Sequence, residues 1–348
     1  MTTVADGLFQ YGGMPVGMGI PPFVSRYSKT FFVDPINGAD GNDGTSPQRA
    51  FQTLYQLHNK MTSGNNDVGF LIGTGVLAGS SVLSLALAQT IDSTATVGTL
   101  VWSKNACHLI GIASPSNNSR AKITTVYDRD STTYTASTFG SGNFVTVSGS
   151  GCYFRNISVS PLFSTGSTTG IAWTDTGQRN YYENCQFLGM LDDASAQATG
   201  ARSLKIGSGG NGEHVFVRCQ IGQDTITRTV ANSSLELAGA TPRNSFYNCI
   251  FPVYTSSADI HMIVGTGNGC VDRWNLFDRC VFINASDSGS TTADDVLSFS
   301  TASPGGSVIF KDCDTIGFTK LGDTNGLANS YVSNVGGAAT GGLNVNPS

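Results

Sequence analysis

The sequence predicts an all-β chain wound into one single-stranded parallel β-helix, and three observations carry that prediction. The first is a repeat. Six copies of an aromatic–variable–polar–Cys/Ile pattern read Phe154-Arg155-Asn156-Ile157, Tyr182-Glu183-Asn184-Cys185, Phe216-Val217-Arg218-Cys219, Phe246-Tyr247-Asn248-Cys249, Phe277-Asp278-Arg279-Cys280 and Phe310-Lys311-Asp312-Cys313. Their fourth residues are 28, 34, 30, 31 and 33 apart, a period that marks a solenoid. The second is alternation. Val159, Phe187, Ile221, Phe251, Phe282 and, more weakly, Thr315 follow two places later, on the same strand face. The third is composition. Charged residues make up 12% and Gly 43 of 348 residues, which suits a turn-rich β protein.

The aromatic, three places before the Cys, is out of phase with it on an unbroken strand. A sharp corner at the polar residue removes the conflict, because Asn and Asp enter the left-handed region more readily than other non-glycine residues. Asn fills that place in three copies and Asp in one; Arg218 and Arg279 fit it less well. Each coil is then strand, corner, strand and variable loop, with Phe stacked on Phe and Cys on Cys.

The chain divides into four parts. Residues 1–30 mix Gly and Pro with Phe9, Tyr11, Met14, Met18, Ile20 and Phe23. They are too punctuated for a helix or central strand and too apolar for a typical disordered tail. They read as an extended arm that buries those six side chains on another subunit, against the alternative of packing on their own β-helix. Residues 31–65 hold a strand, an Asp/Gly loop and a capping helix. That helix is predicted to start at Ser46-Pro47, with Phe51, Leu54, Tyr55, Leu57 and Met61 on one face. Residues 66–320 are the β-helix, with room for about three coils before residue 150. Residues 321–348 are Gly/Ala/Asn-rich.

Five of the eight cysteines, Cys185, Cys219, Cys249, Cys280 and Cys313, share one repeat position. They read as stacked core thiols, against disulfide or metal alternatives. No metal or cofactor is expected. Asp34, Asn37, Asp40, Asn42 and Asp43 admit a calcium reading, but Asx turns explain them better. A net charge of −5 gives no nucleic-acid footprint. No apolar run reaches membrane-span length, and no secretory signal precedes residue 7; synthesis in a reducing cytoplasm is the simplest expectation.

Phe31 to Leu54 resembles the leading segment of pectate-lyase-like right-handed β-helix proteins. There an apolar-Asp start, a Gly/Asp/Asn loop and a Phe-x-Thr-Leu helix precede the first coil. The Asn-Cys corners are similar to that family's interior ladders. The resemblance covers roughly residues 31–316 and implies a right-handed coil. The family includes pectate lyases, glycoside hydrolases and phage tailspikes and head spikes, and fold alone does not choose among them.

Candidate carboxylates for polysaccharide cleavage are Glu213, Asp224, Asp192, Asp193, Asp259, Asp294 and Asp295. None sits where a pair would share one strand position on adjacent coils. His58, His108, His214 and His261 read as structural. Trp173, Trp274, Tyr127, Tyr134 and Tyr254 are candidates for stacking on a glycan. The arm-plus-β-helix layout resembles a phage virion protein. The resemblance implies a homotrimer, made in the host cytoplasm, held by its arm on the major capsid protein or another virion protein. The sequence expectation is therefore a non-enzymatic capsid decoration protein or short head spike. The alternative is a tailspike that binds or cleaves a host surface glycan.

Overall fold

The structure, a computed structural model, describes residues 3–5, 8–11, 14–16, 27–73, 100–113, 121–124, 143–161, 170–189, 198–207, 211–256, 260–286, 293–300, 304–323 and 330–332. From residue 30 onward the chain is a parallel β-solenoid built from three sheets. Sheet A has ten strands: Thr30–Val33, Asp67–Ile72, Cys107–Ile112, Tyr153–Arg155, Tyr181–Glu183, Val215–Val217, Asn244–Tyr247, Arg273–Asp278, Gly306–Lys311 and Ser330–Val332. Sheet B follows it across the Asn corner, from Ala121–Thr124 to Asp314–Ile316. Sheet C closes each coil: Leu100–Trp102, Asn143–Val147, Ile171–Asp175, Arg202–Ile206, Ser233–Ala238, His261–Thr266, Ala293–Phe299 and Phe318–Gly322.

The corner is where the sequence puts it. Asn156, Asn184, Arg218, Asn248, Arg279 and Asp312 have φ between 52° and 55°. Both arginines hold this conformation, and each is compensated. Arg218 pairs with Glu183, and Arg279 with Asp278 at 3.2 Å. The corner N–H groups continue the stack: Asn184 donates to Val217 O at 2.9 Å and Arg279 to Lys311 O at 2.8 Å.

Inside, the aromatics form a continuous column. Ring centroids are 5.1 Å apart for Phe154–Tyr182, 4.6 Å for Tyr182–Phe216, 4.7 Å for Phe216–Phe246, 4.6 Å for Phe246–Phe277 and 5.3 Å for Phe277–Phe310. Offset-stacked rings at such spacing add to their burial. Cys185, Cys219, Cys249 and Cys280 are buried beside the column, and Cys313 is half-buried. Each thiol faces the carbonyl of an aromatic one coil back, as Cys185 Sγ does Phe154 O at 3.4 Å.

Three local expectations change. The helix α1 spans Leu54–Lys60, and its N-cap is Thr53, which accepts from Gln56 N at 3.0 Å. Ser46 opens only a 3-10 turn, Pro47–Arg49, with no side-chain cap bond. Phe51 lies before the helix, bridged to Val33, and Tyr55 is 39% exposed, so only Leu54, Leu57 and Met61 enter the core. Two long coils, not three, fill 66–150, since Asp67 pairs with Cys107 and Leu109 with Phe154. Thr3–Ala5, Leu8–Tyr11 and Met14–Val16 pair with one another as a small antiparallel sheet. Met18, Ile20 and Phe23 of the arm lie outside the described residues, as do the side chains of Phe9, Tyr11 and Met14.

The Asp34–Asp43 loop is closed by its own side chains. Asp34 Oδ1 accepts from Ile36 N and Asn37 N, both at 3.0 Å. Asp40 Oδ1 accepts from Gln52 N and Thr53 N, at 3.0 and 2.9 Å. Asp43 accepts from Thr45 and pairs with Arg49 at 2.8 Å.

Candidate functional site

Polar chemistry is sorted by face. One cluster lies inside the solenoid. Asp175, fully buried, accepts from Gly177 N at 2.8 Å, from Asn180 Nδ2 and from Tyr182 Oη. Trp173 Nε1 donates to Tyr182 Oη at 3.2 Å. His214 Nδ1 accepts from Asn180 N at 3.2 Å and lies 3.4 Å from Asp175 Oδ2. Burial pushes the His214 pKa down, against the pull of Asp175, so the ring stays neutral. A carboxylate this enclosed has no route to a substrate; the network satisfies the Asp175 carboxylate and the Asn180 amide.

Asn180 also begins a ladder along the start of sheet A. Its Oδ1 accepts from Cys152 N at 2.8 Å, Asn244 Oδ1 from His214 N at 3.0 Å, and Asn275 Oδ1 from Asn244 N at 3.2 Å. His214 is thus an interior residue, because the corner at Arg218 breaks the alternation that would place it opposite Cys219.

The outer face of sheet C carries the second cluster. Successive coils align Ile171 with Arg202, Arg202 with Ser233, and Ser233 with His261. Asp295 aligns with Lys320 on the coils beyond. A second row aligns Thr174 with Lys205, Lys205 with Glu236 and Glu236 with Val264. Arg202 Nε and Lys205 Nζ each stand 3.1 Å from Glu236, which also accepts from Thr266 Oγ1 at 2.9 Å. Asp295, 1% exposed, lies 3.8 Å from His261 Nδ1 and 3.5 Å from Lys320 Nζ. Glu236 is held by two cations and a hydroxyl. The His261 imidazole keeps 24% exposure, with the Asp295 carboxylate behind it.

The other three histidines are bound into the fold. His58 Nε2 accepts from Ser103 N at 3.1 Å, and His108 Nδ1 from Tyr153 N at 3.1 Å. Burial lowers both pKa values to about 4, His58 further through Lys104 and His108 against the pull of Asp67. Glu213 is a corner brace between coils, 2.6 Å from Arg179 and 3.0 Å from Arg243. Asp224 is exposed on Gln223–Arg228. Asp192, Asp193, Asp259, Tyr127, Tyr134 and the side chain of Asp294 lie outside the described residues.

Trp173 is not a glycan platform, being 1% exposed in the core; Trp274 and Tyr254 are half-buried. Arg202, Lys205, Glu236 and Lys320 escaped the sequence reading. Their signal was Leu204-Lys205-Ile206 and Leu235-Glu236-Leu237, apolar pairs around one outward residue. Asp294-Asp295 reads in sequence as a solvated turn, whereas Asp295 is buried in strand Ala293–Phe299; the 34-residue step to His261 hides their adjacency.

No family model matches the chain, and no curated protein matches its sequence. Solved structures do match its shape. A pectin methylesterase from Erwinia chrysanthemi aligns with a TM-score of 0.52 and 12% identity over 90% of this chain and 92% of its own. A pectin methylesterase in complex with a hexasaccharide gives the same values. The carrot pectin methylesterase gives 0.51 and 13% over 88% and 82%. At this identity the likeness is one of fold, that of the pectate-lyase-like right-handed β-helix. The expectation of a non-enzymatic protein does not stand, because the proteins that share the fold along nearly the whole chain are enzymes acting on polysaccharide. No helix among the described residues is long and apolar enough to cross a membrane.

Proposed function

We propose that the chain binds a polysaccharide along the outer face of sheet C and acts on it there. The observation that carries this reading is the register of Arg202, Lys205, Glu236, His261, Asp295 and Lys320 on consecutive coils of one face. A row of charged and hydroxyl groups repeating every strand spacing, about 4.8 Å, can meet successive polar groups of an extended chain. In this reading His261 is the acid–base group, positioned by the buried Asp295 behind it, and Arg202 and Lys205 hold hydroxyl or acidic groups of the sugar. The fold-sharing enzymes support a polysaccharide as the ligand.

The tailspike arrangement is the setting we favour over capsid decoration, with residues 1–30 as the fastening arm of a trimer. Deleting residues 1–25 should leave a folded, polysaccharide-binding chain that no longer joins a larger particle.

The test is a panel of bacterial surface and plant polysaccharides, scored for binding and for release of shorter or de-esterified products. H261A and D295N should lower turnover at least tenfold while binding persists, and R202A/K205A should weaken binding. Full turnover in H261A and D295N would remove the assigned roles.

A further inference from the structure

Among the described residues, a cationic side chain inside the solenoid has no counter-charge. Arg228, at the end of Gln223–Arg228 in sheet B, is fully buried. Its Nη2 donates to Ser234 Oγ at 2.6 Å, whereas Nε and Nη1 have no hydrogen-bond partner. Among the described residues no ion pair joins it. Burial, with a second cation, Arg202, adding to it, lowers the Arg228 pKa only to about 9. The guanidinium is therefore charged at neutral pH. Among the described residues the carboxylate paired with Arg202 is Glu236, which is already shared with Lys205.

The position is built rather than incidental. Ser256 N donates to Arg228 O at 2.9 Å, fixing the backbone. Ser234 fixes the head group and contacts Met262 Sδ at 3.5 Å. Ser203, one strand over from Ser234, has a buried Oγ without a partner. Three donor atoms, two of them on a cation, thus lack acceptors in one buried neighbourhood. An uncompensated buried charge costs several kcal/mol. Water would satisfy the N–H groups but not the charge.

We propose that Arg228, with Ser203 and Ser234, holds a small monovalent anion, a halide or a carboxylate no larger than acetate, as a structural ligand. The site is internal and separate from the outer face of sheet C, so it stands or falls independently of the polysaccharide reading.

The test follows the thermal midpoint of the full chain as chloride replaces gluconate at constant ionic strength, with formate in a parallel arm. The wild type should rise saturably by a few degrees, with the more effective anion telling halide from carboxylate. R228M should be flat and, without chloride or formate, should melt at or above the wild type, because Met removes the unpaired charge while filling the space. No rise in the wild type in either arm, or an equal rise in R228M, overturns the proposal. Should R228M fail to fold, wild-type crystals grown in bromide decide. An anomalous peak at hydrogen-bonding distance from Arg228 Nε or Nη1 supports the site, and its absence overturns it.

Discussion

Replacing Phe246 by Ala should cost more than replacing any ring at the end of the same column. Phe246 is fully buried and stacked on both sides, on Phe216 at 4.7 Å and Phe277 at 4.6 Å, with interplanar angles of 6° and 4°. Phe251 adds an edge contact at 6.0 Å. Truncating a buried Phe costs about 3–5 kcal/mol, and each lost aromatic pair is worth about 0.5–1.5 kcal/mol beyond area. The rigid neighbouring coils cannot collapse into the gap, so F246A belongs at the upper end, about 5 kcal/mol. Phe310, 2% exposed, stacks on Phe277 at 5.3 Å and meets Phe282 edge-on at 5.7 Å; with one stacked neighbour in place of two, F310A belongs near 3 kcal/mol. Urea denaturation gives the two values, and pulse proteolysis locates the weakened coils, since solenoid stability is a sum over neighbours. If F246A costs less than about 2 kcal/mol, or no more than F310A, the column does not hold the coils together.

Three further predictions concern single elements. His58 and His108 have folded pKa values of about 4, below the ordinary 6.5, so between those values the unfolded chain binds more protons. Stability is complete above about pH 6.5 and is lost as pH falls through 4, by up to ~3 kcal/mol per ring; urea titrations at pH 7 and pH 4.5 should show a loss that shrinks in H58Q/H108Q. Lys104 Nζ donates to His58 O, Asn59 O and Met61 O at 2.5, 2.9 and 2.7 Å, so K104M should cost about 1–2 kcal/mol and speed amide exchange in α1. Asn184, at φ 53° and bonded to Asn156 Oδ1 at 3.0 Å, should cost about 2 kcal/mol as N184A but less as N184G, since glycine enters the left-handed region freely; equal losses in urea would contradict the corner assignment.

The repeat exposed most of the fold because its cause is local. An Asn at a left-handed corner and a ring three places before a Cys are decided within one coil, so Asn156 through Asp312 could be read in order. Arg218 and Arg279 were the doubtful corners, and their strain is offset by Glu183 and Asp278 one place before a corner. The capping helix was misplaced because Ser46-Pro47 looks like a helix start, while the decisive bond, Gln56 N to Thr53 Oγ1, competes seven residues later. The outer face of sheet C was least legible. His261 and Asp295 meet only through the winding, and the loops that set the step from one to the other vary in length. The pairing of Glu236 with Arg202 and Lys205 is likewise a property of adjacent coils.

The most direct test of the account is a crystal structure of the chain with an oligosaccharide drawn from whichever polysaccharide it binds. The account predicts sugar density along the outer face of sheet C, crossing the coils of Arg202–Ile206, Ser233–Ala238 and His261–Thr266, with His261 against the scissile or esterified group. Density on the outer face of sheet A instead, beside Tyr181 and Tyr247, would contradict it.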